Sequence, residues 1–250
     1  MTFFGKKVPL LFSLLIWFIA WELIGQAKLS TIVPPFSDVI AAGITILPTE
    51  KFSTAVSISL RSFAIGMGLA MLVGIPLGVV MARVESLGKI LGMWVNIFVS
   101  APISALVPIL MAVIGIGETT VVITVFLFAV FVIILDTQVG IKQADKSLVE
   151  MARCFGAWRY QIYTKILFLC ALPEILAGLR LGAIRGVKGV VIGQLLIAIL
   201  GVGELFELYS QHFLMEEFWA LVIIVFMFAF AVSEAIALLE RRVEYYASAR

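Results

Sequence analysis

Long apolar runs separated by short polar stretches dominate this sequence. Each run is close to the roughly 20 residues that an α-helix needs to cross a bilayer. A transmembrane barrel would instead show strands of about 10 residues with alternating polarity. The pattern therefore predicts an all-α integral membrane protein with six segments, which are Leu10–Ala27, Val56–Ala82, Ile90–Ile114, Thr119–Asp136, Glu174–Leu200 and Phe218–Leu239.

The connections between these segments differ in character. Residues 28–55 and 201–217 are polar enough to be predicted as loops. The third segment is interrupted by Asn96, Pro102 and Pro108. Such breaks in a membrane helix are tolerated only where the backbone is buried in protein or lines a cavity. We therefore expect a broken helix in the third segment.

Composition supports the membrane assignment and narrows the chemistry. The chain is 62% hydrophobic and 14% charged, whereas a soluble domain is about 45–50% apolar and about 25% charged. A single histidine, His212, excludes a His-Glu-x-x-His zinc motif. A phosphate-binding Gly-x-x-x-x-Gly-Lys-Ser/Thr loop is also absent from the sequence, so we expect no ATP hydrolysis by this chain.

The basic residues indicate how the chain is oriented. With six spans, 15 of the 18 Lys and Arg residues fall on or nearest one side, and only Lys28, Lys51 and Arg61 fall toward the other. Cytoplasmic loops carry an excess of Lys and Arg. We therefore predict a multi-pass protein of a bacterial-type cytoplasmic (inner) membrane, with both termini and the central polar stretch in the cytoplasm.

The central polar stretch, Gln138–Pro173, contains five cations. Ser147 is predicted to cap a short helix, with Glu150 in the capping-box position three residues later. Gly156 is expected to end that helix, and an amphipathic segment, Trp158–Leu169, follows. Pro173 is predicted to mark the entry to the fifth segment. A short helix with a glycine turn fits a groove on a soluble partner, and the alternative is a solvated loop without a partner.

Several motifs in the same order resemble one family. The central one runs from Glu150 through Ala152 to Gly156 and is followed by Leu172-Pro173. It resembles the EAA loop of ABC-importer permease subunits. The other motifs resemble the permeases of sulfonate, taurine and nitrate importers, and they are Val33–Asp38, Gly74–Gly78, Gly115–Thr119, Gly178–Arg180 and Glu240–Arg242.

The resemblance implies a fold and a set of partners. The fold would be a single permease domain over 1–250, of the type I ABC-importer kind, with a cytoplasmic coupling loop at 138–173. Glu150, Ala152, Gly156 and Pro173 would couple it to separate ATPase subunits, which hold ATP and Mg. The chain itself would bind no cofactor and no metal, and would not be catalytic. The other implied partners are an extracytoplasmic substrate-binding protein, a second permease copy and membrane lipid, but no nucleic acid.

Alternating access driven by the ATPase is the mechanism that this resemblance implies, and the transported solute is expected to be small and anionic. The alternative is a self-sufficient secondary transporter or channel, in which the coupling loop would have no use. The sequence departs from the family at Met151, at Leu167–Leu169 and at Val99–Ile103. The last of these lacks the arginine usual in the sulfonate branch, so the resemblance does not fix the substrate.

Two cations fall inside the fifth segment. The uncharged run Gly189–Gly203 has only 15 residues, so the membrane helix must include Lys188 and Arg185. Their spacing of three puts them on one helix face. A charge at the bilayer centre costs about 2.5–3.5 kcal/mol on insertion scales, which makes lipid exposure unfavourable.

Two roles for this pair stay open. In one, both cations face the pore and attract an anionic substrate. Gln194, where the family often has Glu, would then remove a nearby negative charge. In the other, the cations extend to the cytoplasmic surface or form structural ion pairs with Asp136, Glu22 or Glu234.

Overall fold

The structure is a computed structural model that describes residues 2–3, 6–7, 10–28, 31–197 and 199–248. A short antiparallel pair, β1 (Thr2–Phe3) and β2 (Lys6–Lys7), comes first. The helices are α1 (Leu10–Gln26), α2 (Phe36–Ile46), α3 (Glu50–Arg83), α4 (Glu85–Ser100), α5 (Val107–Ile114), α6 (Glu118–Gln143), α7 (Lys146–Cys154), α8 (Arg159–Ile162), α9 (Phe168–Ile197), α10 (Gly201–Gln211) and α11 (Met215–Ser248). A 3₁₀ turn, Ile103–Leu106, precedes α5, and a π-helical turn, Tyr163–Leu167, joins α8 to α9.

The helices confirm the predicted all-α membrane fold. Among the described residues, four helices are long and apolar enough to cross a membrane, within α3, α6, the continuous stretch Arg159–Ile197, and α11. The pair Glu85–Ser100 and Ile103–Ile114 can form a fifth, broken span or a re-entrant loop. The first predicted segment forms α1, which has 17 residues, at the lower end of the length that crosses a bilayer.

The third segment breaks at one of its two prolines. Its two halves meet at an angle of 91°. Ala101, directly before Pro102, has an extended backbone with φ −73° and ψ 147°, as expected for a residue that precedes proline. Pro108 lies in the first turn of α5, where the missing N–H has no helical partner in any case. The predicted interruption at Pro108 is therefore wrong, and the one at Pro102 is confirmed.

Both stretches predicted as polar loops contain a helix, which corrects the sequence analysis. Helix α2 lies within 28–55 and α10 lies within 201–217. Each buries one apolar stripe, and the two stripes pack together with the first turns of α3 and α11. Both helices have only 11 residues, and the exposed side of α2 includes Ile40 and Ile44, so neither shows a long 3.6-residue alternation of polar and apolar positions. The buried residues are Val39, Ala42 and Ile46 in α2, and Val202, Leu205 and Phe206 in α10.

Helix α6 forms the centre of the fold because small residues let α3 and α9 approach it closely. A Cβ added to Gly78 of α3 would lie 2.7 Å from the carbonyl oxygen of Ile134. On α9, a Cβ added to Gly178 would lie 2.7 Å from the Cβ of Asp136. Helices in a bilayer associate through this kind of close van der Waals packing. The glycine-rich faces of α3 and α9 therefore position both helices on α6.

The predicted coupling loop is shorter in the structure than in the sequence analysis. Residues 138–143 continue α6, and residues 168–173 belong to α9. Pro173 thus lies inside α9 instead of marking its entry. The part between α6 and α9, residues 144–167, is called the central segment below. It contains α7, α8 and the π-helical turn.

Candidate functional site

Helix α7 begins at a side-chain cap that the sequence analysis placed two residues too late. Asp145 is the N-cap, and its Oδ1 accepts a hydrogen bond of 2.8 Å from the backbone N–H of Ser147. This backbone hydrogen bond lowers the pKa of Asp145, so the cap stays charged at neutral pH. The negative charge also favours the N-terminal end of the helix dipole. Ser147 is therefore not the cap, and Glu150 forms no capping box with it.

Helix α7 ends in a Schellman motif at Gly156. The N–H of Ala157 donates to the carbonyl of Ala152 at 2.9 Å, and the N–H of Gly156 donates to the carbonyl of Arg153 at 2.9 Å. These two bonds satisfy the last carbonyls of the helix. Gly156 has φ +76°, in the left-handed region that favours glycine. The prediction that Gly156 ends this helix is confirmed.

The central segment exposes large apolar side chains although it lies between two membrane-spanning helices. Phe155 is 85% exposed and Trp158 is 80% exposed. Leu148 and Met151 in α7 and Phe155 at its C-cap are spaced three and four apart, so they share one face. We call these three residues, together with the exposed Trp158 and Tyr160 that follow the turn at Gly156, the exposed apolar face. Clustered exposed apolar side chains mark interaction sites on proteins.

The predicted coupling residues occupy different positions on this segment. Ala152 is buried on the inner side of α7, so its small side chain lets the helix pack closely. Glu150 is exposed and lines a groove together with Lys142 and Arg153. Pro173 lies inside α9, well beyond α7. The structure therefore brings Glu150, Ala152 and Gly156 together on one short helix and leaves Pro173 apart.

The predicted path residues Arg185 and Lys188 lie along one stripe of α9. Leu181, Lys188 and Leu195 are exposed at intervals of seven residues, and Arg185 is half-buried beside them. Arg185 is close enough to Asp136 for their charges to interact. No ion pair links Arg185 or Lys188 to a carboxylate among the described side chains.

Gln194 does not share this stripe. It has 0% exposure, and its Oε1 accepts hydrogen bonds from the Ser59 hydroxyl at 2.8 Å and from the Val202 N–H at 3.1 Å. Its Nε2 is buried without a hydrogen-bond partner. Val202 is in the first turn of α10, so Gln194 satisfies a helix N-terminal donor. Gln194 therefore lies apart from Arg185 and Lys188, and its hydrogen bonds join α9 to α3 and α10.

The whole sequence was also compared with known proteins. Residues 74–245, more than half of the chain, match the family described as the binding-protein-dependent transport system inner membrane component. This chain belongs to that family. It is an ABC-importer permease subunit, and the family is a transport component with no catalytic activity of its own.

Individual relatives of the permease serve different solutes. The taurine transport system permease protein TauC of Escherichia coli (strain K12) is 26% identical over 84% of this chain and 78% of its own length. The carnitine transport permease protein OpuCD of Listeria monocytogenes serotype 1/2a is 31% identical over 57% of this chain and 63% of its own length. Among solved structures, an inward-facing form of the MetNI methionine ABC transporter matches with a TM-score of 0.67. It is 19% identical and covers 77% of this permease and 96% of that chain.

The sequence analysis of the permease missed two features, of which only the first carries a local signal. Asp145 directly precedes the helical run, and aspartate is among the preferred N-cap residues. The ring of Tyr163 lies under the guanidinium of Arg83, which is the last residue of α3. No local pattern indicates that second contact, because its partners are far apart in sequence.

Proposed function

We propose that this permease works as a homodimer by alternating access, with the central segment docked on ATPase subunits in the cytoplasm. The exposed apolar face of the central segment carries this proposal. A solvated loop would gain nothing by holding in water Phe155, at the C-cap of α7, and Trp158, just past the turn at Gly156. A groove on a soluble partner would bury this face, as in other helix-in-groove contacts.

The two ends of α7 support the docking role. Its first turn is capped by Asp145, and its last turn is closed by the Schellman motif at Gly156. A helix of nine residues is too short to be stable alone in water, so its caps and its packing must hold it. Preorganisation of this kind lowers the conformational cost of binding. Membership of a binding-protein-dependent family supports a substrate-binding protein on the other side of the membrane.

The solute is proposed to be small and to carry an acidic group. Arg185 and Lys188 support this, because both are accessible from one side of α9 and form no ion pair with a described carboxylate. Taurine carries a sulfonate and carnitine carries a carboxylate, and these are the solutes named for two of the relatives. The proximity of Asp136 to Arg185 favours a structural, charge-pairing role for Arg185. Lys188 is therefore the stronger candidate for contact with the solute.

The transport role of the pair is tested with separate Arg185→Gln and Lys188→Gln variants. Each variant is reconstituted with its ATPase and binding protein, and uptake of labelled taurine is compared with uptake of labelled carnitine. We expect Lys188→Gln to lower the uptake rate at least tenfold, because a charge-assisted contact contributes roughly 1.5–3 kcal/mol and about 1.4 kcal/mol is a tenfold change. Arg185→Gln is expected to have a smaller effect, and Lys51→Gln serves as an exposed control. Wild-type uptake by both fully assembled variants would show that the pair is not a substrate site.

The same uptake assay distinguishes an ABC importer from a self-sufficient channel or secondary transporter. A self-sufficient channel or secondary transporter would carry solute without the ATPase. For the ABC importer we expect uptake only when ATP and both partner proteins are present. A thermal-shift screen of the binding protein against organic sulfonates, carboxylates and inorganic anions then identifies the solute independently of this chain.

The proposed orientation places Cys154 in the cytoplasm. Both Cys154 and Cys170 are exposed in the structure, so labelling is done in a Cys170→Ser background. We expect a membrane-impermeant maleimide to react with Cys154 in inside-out vesicles and to leave it unmodified in right-side-out vesicles. Labelling in intact right-side-out vesicles would reverse the proposed topology.

A further inference from the structure

Arg83 and Tyr163 form a contact between α3 and the central segment. The guanidinium carbon of Arg83 lies 4.7 Å from the centroid of the Tyr163 ring, within the roughly 6 Å range of a cation–π interaction. Glu85, the nearest acidic residue in sequence, pairs instead with Lys89 at 2.8 Å. Among the described side chains, Arg83 has no ion-pair partner, so its charge faces the ring without competition from a carboxylate.

Tyr163 also begins the π-helical turn that precedes α9. Its carbonyl accepts a hydrogen bond from the N–H of Phe168, five residues later. This widened turn separates the central segment from the regular part of α9. A π-helical turn often marks a functional site in a longer helix. The ring beneath Arg83 therefore sits where the backbone changes from the central segment to a membrane-spanning helix.

The end of α3 that carries Arg83 packs against α6 and α9. The Nε2 of Gln138, in α6, donates to the carbonyl of Met81 at 3.4 Å. Ala82 packs against a small cluster whose buried members are Ile141 of α6 and Ala171 and Ile175 of α9. A displacement of Arg83 would therefore move the end of α3 and change its contacts with α6 and α9.

We infer that the Arg83–Tyr163 contact passes movement of the central segment to α3, in parallel with the covalent route through α9. The inference rests on the proposed function, in which the central segment moves with the ATPase subunits. Arg83 and Tyr163 act here as positioning residues, since neither is required to touch the solute or the nucleotide. A permease that moves α3 and α9 together can rearrange both faces of α6 in one step.

The test measures amide hydrogen exchange in the complex of the full permease with its ATPase subunits. Exchange is compared with and without ATP plus orthovanadate, so no transported solute is needed. In the wild type, nucleotide should change exchange both in residues 146–157 and in residues 79–83. In Arg83→Gln and in Tyr163→Leu, the change in residues 146–157 should remain. The change in residues 79–83 should fall roughly two- to five-fold, as expected for an exposed cation–π contact.

Matched variants separate coupling from simple loss of packing. Arg83→Lys and Tyr163→Phe keep the cation and the ring, so both should retain the wild-type response at residues 79–83. The double variant Arg83→Gln/Tyr163→Leu should be no worse than either single variant, because residues that share one interaction are not additive. Lys51→Gln removes an exposed cation at the opposite end of α3 and should have no effect.

Two results would overturn the inference. One is a wild-type nucleotide response at residues 79–83 in Arg83→Gln while residues 146–157 also respond. This result leaves the docking function intact and removes only the Arg83–Tyr163 route. The other is the absence of any nucleotide response in residues 146–157 of the wild type. That result contradicts the proposed docking function itself, and the inference falls with it.

Discussion

Replacing Gly156 by valine should abolish the coupling between ATP hydrolysis and transport while leaving membrane insertion intact. Gly156 has φ +76°, and the left-handed conformation costs an L-residue roughly 1–2 kcal/mol, with β-branched residues at the unfavourable end. The site has open space for a side chain, so the penalty comes from the backbone alone. The Schellman motif would be lost, and Phe155 and Trp158 would leave the positions that the proposed docking requires.

The measurement is ATP hydrolysis by the reconstituted complex, with and without the liganded binding protein. We expect Gly156→Val to lose the stimulation or to release the ATPase subunits, and Gly156→Ala to show a weaker form of the same defect. Gly117→Val is the matched control, because Gly117 also has open space around it but is fully extended at φ 164°. Normal stimulation in Gly156→Val would remove α7 and its turn from the coupling mechanism.

Replacing Gly203 by alanine should strongly destabilise the folded permease, although the change adds only one methyl group. A Cβ at Gly203 would overlap the backbone carbonyl carbon and oxygen of Gln194, and backbone atoms cannot move aside as a flexible side chain can. Inserting atoms into a packed site costs typically 1–3 kcal/mol, and we expect about 3 kcal/mol or more at Gly203. The shift would also separate the Val202 N–H from the Oε1 of Gln194.

Thermal unfolding in detergent, followed by tryptophan fluorescence, checks this expectation. Gly43→Ala is the control, because its added Cβ would make an ordinary contact of 3.7 Å with the Cβ of Ala220. We expect Gly43→Ala to unfold close to the wild-type temperature and Gly203→Ala to unfold well below it. Equal stability of the two variants would mean that α10 can shift away from α9 at little cost.

The sequence was sufficient for the features that the bilayer imposes. Apolar runs of about 20 residues must form helices there, because no water is available to satisfy their backbone groups. This rule predicted α3, α6, α9 and α11 as membrane-spanning helices. The break at Pro102 and the helix end at Gly156 were also predictable, since both follow from the covalent limits of single residues.

Local patterns were less reliable where a helix is short. The polar residues around α2 and α10 concealed two short helices, whose apolar stripes are buried in one cluster with residues of α3 and α11. The N-cap of α7 was placed at Ser147 although Asp145 makes the hydrogen bond. Two nearby candidates of similar propensity cannot be ranked without knowing where the chain turns out of α6.

Only the tertiary structure decided which distant residues meet. Gln194 has the position of a path residue in sequence, yet the packing of α9 against α3 and α10 buries it and bonds it to Ser59 and Val202. Arg83 and Tyr163 are 80 positions apart in sequence and touch because α3 and α9 both pack on α6. The hydropathy of a segment determines whether it enters the membrane. Its neighbours depend on the shapes of the faces that it presents, and those faces are defined only after the helices have packed.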